Sequence, residues 1–160
     1  MKYLIYHHND NDGYLAAAIA KAYLTRENPS YKDIEFRVGS YDGNEDEDAV
    51  AWADEVFVLD YRLPPALMEK YYDKITWIDH HKTAIEQMET IMKNRPRPLK
   101  GRWEIGKSGC MLTWEFLFGT EKTVPLAVEL VNDRDVWNWK LGEDTAAFHE
   151  ASRMFMPYVS

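Results

Sequence analysis

Trp77-Ile78-Asp79-His80-His81 is the stretch whose reading decides the fold. The apolar run Ile75 to Ile78 reads as a buried strand, and it stops in a carboxylate followed by two imidazoles. A strand that ends this way carries potential metal or phosphate ligands at its C-terminal tip. In open α/β sheets ligands bind outside that edge. Two more apolar runs end alike. Tyr3 to Tyr6 runs into His7-His8-Asn9-Asp10-Asn11-Asp12-Gly13, and Val56 to Leu59 runs into Asp60. Packing alone does not explain three strands that each terminate in carboxylate or imidazole.

Outward from these strands the pattern alternates. Residues 2–6 read as a strand and 14–27 as a helix with Leu15, Ala18, Ile19, Ala22 and Tyr23 on one face. Residues 34–38 read as a half-wet strand and 46–54 as a short helix with an acidic start. A strand over 56–60 is followed by a helix over 64–72 that opens on proline. After the strand 75–78, residues 83–93 read as a helix boxed by Thr83 and Glu86. Arg95-Pro96-Arg97-Pro98 cannot be helical, so 94–107 is expected to be a mobile basic loop. Residues 108–118, 124–131 and 145–155 read as helices, and 133–139 as a polar-aromatic loop. Strand and helix in alternation predict an α/β, Rossmann-like, mostly parallel sheet with helices on both faces. At 160 residues, one domain over 1–160 is expected.

Composition narrows the classes. With 46% hydrophobic and 29% charged residues, the chain is ordinary for a globular protein. Cys110 is the single cysteine, so no intrachain disulfide forms, which suits a reducing compartment. No apolar stretch spans a bilayer, and the N-terminal residues break into His, Asn and Asp too early for a secretory leader. A cytoplasmic protein without membrane contact is expected. The net charge of −8 argues against coating long duplex nucleic acid. Yet residues 93–107 hold six bases (Lys93, Arg95, Arg97, Lys100, Arg102, Lys107) against one acid, Glu104. Such a stretch suits a local anionic ligand, or is simply a solvated loop.

His8, Asp10 and Asp12 are spaced by two, which places them on one side of an extended segment. With Asp60, Asp79, His80, His81 and Asp133 they form a set of carboxylates and imidazoles without sulfur. That set suits Mn²⁺ or Mg²⁺ and tolerates Co²⁺ or Zn²⁺. Carboxylates crowded in one crevice repel unless cations lie between them. The ligand number exceeds one ion's needs, so two divalent cations are expected. His7 competes with His8, and Asp135 with Asp133. Spacing favours His8, and the position after the helix end favours Asp133. His149 reads as an ordinary surface or core histidine.

H-x-D-x-D-G, a strand-terminal Asp, Asp-His-His and a later Asp, in this order, resemble the four motifs of the DHH phosphoesterase superfamily. The resemblance covers residues 1 to about 139. Ser108-Gly109-Cys110-Met111-Leu112 and Asp133-Arg134-Asp135-Val136-Trp137 are also similar to its short-oligonucleotide and cyclic-nucleotide phosphodiesterase branch. The resemblance implies a metal-dependent hydrolase whose two cations, Mn²⁺ foremost, activate a hydroxide against phosphodiesters. It implies that His8 and Asp10 bind the first metal and Asp12 the second, that Asp60 bridges both, and that His80 and Asp133 complete the ligands of the second metal. His81 would contact the substrate phosphate and Asp79 would orient the His pair, which makes Asp60, Asp79 and His81 the expected catalytic set. The family's usual C-terminal substrate-binding domain is expected to be lacking. Substrate capture is then expected from the 94–107 region with Arg102, Lys107 and Ser108, from Trp103, Trp137 or Trp139, or from a second subunit of a homo-oligomer.

Four other readings compete. A pyrophosphate or polyphosphate hydrolase would use the same two-metal site, and a non-catalytic nucleotide binder would not need the full ligand set. Gly101 to Ser108 satisfies G-x-x-x-x-G-K-[ST], but no buried strand is expected before it and Trp and Ile fill its interior. Asp42 to Asp48 imitates a Ca²⁺ loop, but Glu47 and Ala53 stand where that loop needs Gly and Glu.

Overall fold

The computed structural model describes residues 1–27, 33–135 and 141–155, and of residues 149 and 151–155 the backbone only. The elements follow in the order β1 (Tyr3–His8), α1 (Asn11–Glu27), β2 (Ile34–Gly39), α2 (Glu47–Trp52), β3 (Glu55–Leu59) and α3 (Pro65–Lys70). A 3₁₀ turn (Tyr72–Lys74) leads into β4 (Ile75–Asp79), α4 (Lys82–Met92), β5 (Lys100–Trp103), α5 (Gly109–Phe118), α6 (Leu126–Asp135) and α7 (Glu143–Phe155). The strands form one sheet in the order β2-β1-β3-β4-β5, and every neighbouring pair is parallel.

Strand alternation sorts the core into two layers. Leu4, Tyr6, Val56, Val58, Ile75 and Trp77 face α2, α3 and α4. Tyr3, Ile5, Phe57, Leu59 and Ile78 face α1, α5 and α6. The register puts Tyr6 beside Val58 and Val58 beside Trp77, so each layer is a continuous apolar row. Burying each such large side chain stabilises the fold by about 1.5–3 kcal/mol. Strands wet on neither face are what make β1, β3 and β4 visible as unbroken apolar runs.

The chain leaves β1 toward one side of the sheet for β2 and returns to the other side for β3. The C-terminal ends of β1 and β3 therefore flank the point where strand order reverses, the crevice in which open α/β sheets bind ligands. His8 ends β1, Asp60 follows β3, and Asp79 ends β4 beside it.

Several expectations needed correction. Residues 94–107 are not one mobile loop, because Lys100–Trp103 pairs with β4 as an edge strand. The helix after β4 starts at Lys82 with His81 as its N-cap residue, and no side chain caps it. Thr83 therefore lies inside the first turn. α6 extends through Asp135, so Asp133 is helical rather than in a loop. The first helix begins at Asn11, so His8-x-Asp10-x-Asp12 is not extended. Its residues run from strand through turn to helix. No helix among the described residues is long and apolar enough to cross a membrane.

Candidate metal centre

The first ligands come from the β1–α1 turn. Asp10 caps α1, its Oδ1 accepting from Gly13 N at 2.8 Å, while its Oδ2 lies 2.9 Å from His8 Nδ1. Gly13 is required for closeness: a Cβ there would lie 2.1 Å from the His8 carbonyl oxygen. Asp12, two residues on and inside α1, is 2% exposed. Its carboxylate accepts from Gly109 N at 2.8 Å and Cys110 N at 2.7 Å, the first amides of α5. A helix N-terminus offers unpaired amides and a positive dipole end, and here a carboxylate of the same chain takes them.

Asp60 sits between two groups. It is 1% exposed, and its backbone has φ +53°, a left-handed conformation rare outside glycine. Its Oδ1 is 3.0 Å from His80 Nε2. Its Oδ2 is 3.9 Å from His8 Nδ1 and, buried, has no hydrogen-bond partner. Gly109 packs on it so closely that a Cβ would meet the Asp60 Cβ at 2.7 Å. One group of converging ligand atoms is thus His8, Asp10 and Asp60. A second is Asp12, His80 and Asp135, with His80 Nε2 3.4 Å from Asp12 and 3.5 Å from Asp135.

Asp79 organises the histidine pair from behind. Its Oδ1 accepts from His80 N at 2.8 Å and lies 2.6 Å from His81 Nδ1. The Asp79 hydrogen bond raises the pKa of His81, whereas burial lowers that of His80. Burial, followed by the carboxylates of Asp12, Asp10 and Asp79, pushes Asp60 well above the usual carboxylate range. Burial with Asp12 and Asp10 likewise raises Asp135 to about 7. Two like charges about 4 Å apart at an effective dielectric of about 20 repel by about 4 kcal/mol. A buried, partnerless Oδ2 on a carboxylate held against its own ionisation is the signature of a site that divalent cations fit.

The other candidates fall elsewhere. His7 lies under α1, with Nδ1 3.0 Å from the His8 carbonyl oxygen and its ring edge-on to Tyr14. Asp133 Oδ2 accepts from Thr145 Oγ1 at 2.7 Å and Leu141 N at 3.1 Å, which fastens α6 to α7. Asp135 is two residues on, about 200° around the helix, and it is the one that joins the cluster. Arg102 lies 3.0 Å from Glu104, and Lys107 Nζ is 3.0 Å from both Glu115 oxygens. Ser108 is buried as the N-cap of α5, its Oγ accepting from Met111 N. Trp103 stacks on the buried Trp77 at 5.4 Å. Trp137, Trp139 and the side chain of His149 lie outside the described residues.

No buried strand precedes the G-x-x-x-x-G-K-[ST] stretch, because β5 starts only at Lys100 and already contains Gly101, and Asp12 occupies the helix amides a phosphate would need. The α5 amides are the functional groups that residue spacing missed; Ser108 before Gly109, an N-cap pattern, was the available signal.

No protein-family model and no curated protein matches the chain. Among solved structures it is similar to an uncharacterized protein from Helicobacter pylori G27, at TM-score 0.62 and 21% identity over 88% of this chain and 45% of that one. It is also similar to exonuclease RecJ bound to manganese, at TM-score 0.56 and 13% identity over 94% of this chain and 43% of that one. The chain thus spans less than half the length of either. At these identities the likeness is one of fold: the chain has the α/β fold seen in RecJ.

Proposed function

We propose that the protein is a metal-dependent phosphohydrolase that cleaves phosphodiester bonds of short oligonucleotides or cyclic (di)nucleotides. The observation that carries this reading is Asp60, which turns one oxygen toward His8 and the other toward His80 at the strand-order switch. His8, Asp10 and Asp60 would hold one divalent cation, and Asp12, Asp60, His80 and Asp135 a second, with Mn²⁺ the first candidate and Mg²⁺ or Co²⁺ alternatives. The RecJ structure of the same fold was solved with manganese, which supports that choice. Bound there, such cations supply Lewis acidity, polarising phosphoryl oxygens and lowering the pKa of water.

The chain's own residues supply position and proton control. The α5 amides fix both Asp12 oxygens, so Asp12 cannot swing away from His80. Asp79 holds His81 through Nδ1 and favours its protonated form. That leaves Nε2 to donate to a phosphate oxygen as negative charge builds on it. Asp79 is the carboxylate behind an imidazole that fixes ring orientation.

The test is turnover of bis-p-nitrophenyl phosphate with Mn²⁺, followed by a panel of dinucleotides, cyclic nucleotides and pyrophosphate. Hydrolysis that requires the cation and stops with EDTA is expected. A folded protein that hydrolyses none of these with Mn²⁺, Mg²⁺ or Co²⁺ would remove the reading.

A further inference from the structure

A cavity of about 270 Å³ opens between α6 and α7 directly beside the carboxylates. Asp10 of the first ligand group and Asp12 and Asp135 of the second line it together with Leu130, Val131 and Arg134 of α6 and Phe148 of α7. We infer that this cavity is the subsite for the organic group of the substrate, a single nucleobase with its sugar, with Phe148 as the stacking face. The inference rests on the phosphohydrolase reading and adds to it which side of the centre the nucleoside occupies.

Position comes first. A phosphate held over Asp12 and Asp135 has its ester substituent at the mouth of this cavity. Wall chemistry then selects the substituent. A second phosphate unit, as in pyrophosphate or polyphosphate, would meet one cation, Arg134, against the carboxylates of Asp10, Asp12 and Asp135 and the apolar Leu130, Val131 and Phe148, and burying further negative charge against such a lining is costly. A heteroaromatic ring has a π-face for Phe148 and apolar edges for Leu130 and Val131. The guanidinium of Arg134 carries donors and no acceptor, which suits the ring nitrogens and carbonyls of a base. Size limits the occupant. The volume lies at or below the roughly 300 Å³ at which pockets for drug-sized ligands begin, room for one ring system with its sugar and not for two stacked bases.

The experiment measures binding of AMP, ribose 5-phosphate and inorganic phosphate to the protein by calorimetry, with and without Mn²⁺, in the wild type and in Phe148→Leu. Leu retains apolar packing and removes the ring, so the fold is kept. AMP is expected to bind at least about fivefold more tightly than ribose 5-phosphate, the smallest advantage that stacking on one aromatic face confers. Phe148→Leu is expected to erase that advantage while ribose 5-phosphate and Mn²⁺ binding stay unchanged. A smaller advantage in the wild type, or one that Phe148→Leu leaves intact, overturns the subsite. Loss of Mn²⁺ binding and of turnover in the wild type would instead overturn the phosphohydrolase reading, while the ratio of the two sugar phosphates still decides the cavity.

Discussion

The acids at the C-terminal rim of the sheet and the bases of residues 93–107 relate sequence to space in opposite ways. The acids are scattered from Asp10 to Asp135, yet they converge on one crevice, where the buried Asp60 Oδ2 and Asp79 Oδ2 have no hydrogen-bond partner. The bases are contiguous in sequence, yet the fold disperses and pairs them. Arg95 donates to the Glu69 carbonyl, Arg97 meets Asp73, and Arg102 and Lys107 meet Glu104 and Glu115. A charge run along the chain is thus a weak sign of a site, because neighbours on the surface neutralise it. Like charges brought together by the fold, buried and unsatisfied, are a strong one, because a fold held against its own electrostatics needs an outside reason.

The comparison breaks first at Asp60. Asp60→Asn keeps the shape and removes the charge of the carboxylate proposed to serve both cations. Hydrolysis of bis-p-nitrophenyl phosphate is expected to fall by about 10³-fold. Thermal unfolding of the cation-free protein should occur no lower than in the wild type, since burial and neighbouring carboxylates already disfavour the ionised form. Activity within tenfold of wild type in a folded variant would show that Asp60 is not the shared ligand.

The two aspartates of α6 sharpen it next. Asp135→Asn should weaken Mn²⁺ binding by about 10–100-fold with little change in stability. Asp133→Ala should do the reverse, costing about 1–3 kcal/mol by stripping Thr145 and Leu141 of their acceptor. Calorimetric titration and denaturant melts on both variants separate ligand from fastener, and exchanged phenotypes would reverse the assignment. Proton competition gives a smaller effect at the same place. Asp135 has its pKa raised to about 7, so at pH 6 it is mostly protonated and a cation must displace that proton. Mn²⁺ affinity should fall about tenfold from pH 8 to pH 6 through this group alone. Asp135→Asn should flatten that part of the slope.

The architecture was legible where burial was complete. β1, β3 and β4 are apolar on both faces, so Tyr3 to Tyr6, Val56 to Leu59 and Ile75 to Ile78 announce themselves, and the candidate ligands follow at their ends. β5 was hidden because an edge strand needs only one partner and is guarded by charge; Lys100-Gly101-Arg102-Trp103 reads as loop although Trp103 packs on Trp77. The choice between Asp133 and Asp135 turned on a helix boundary, the least legible feature of any sequence. Extending α6 to Asp135 rotates one aspartate toward α7 and the other toward His80. The amides that hold Asp12 have no side-chain signature, because any residue except proline supplies an N–H. Ser108, an N-cap residue before Gly109, marks only where the helix that carries them begins.

The smallest effect belongs to the bases, and it is the sharpest control on the comparison. Lys107 lies within reach of Glu115 and, at 3.8 Å, of Glu104, and its side chain is 39% exposed. An ion pair of that exposure contributes about 0–1 kcal/mol. Lys107→Ala leaves Glu115 with Arg102 3.5 Å away, and stability should drop by no more than about 1 kcal/mol. If the centre consists of the rim carboxylates and histidines, kcat for a small diester such as bis-p-nitrophenyl phosphate should change by less than about twofold, well inside the 10–100-fold that losing a supporting ligand costs. Should Lys107→Ala instead raise KM tenfold while kcat holds, the lysine leaves Glu115 for the substrate phosphate when one is present. The contiguous bases would then belong to the same site as the dispersed acids.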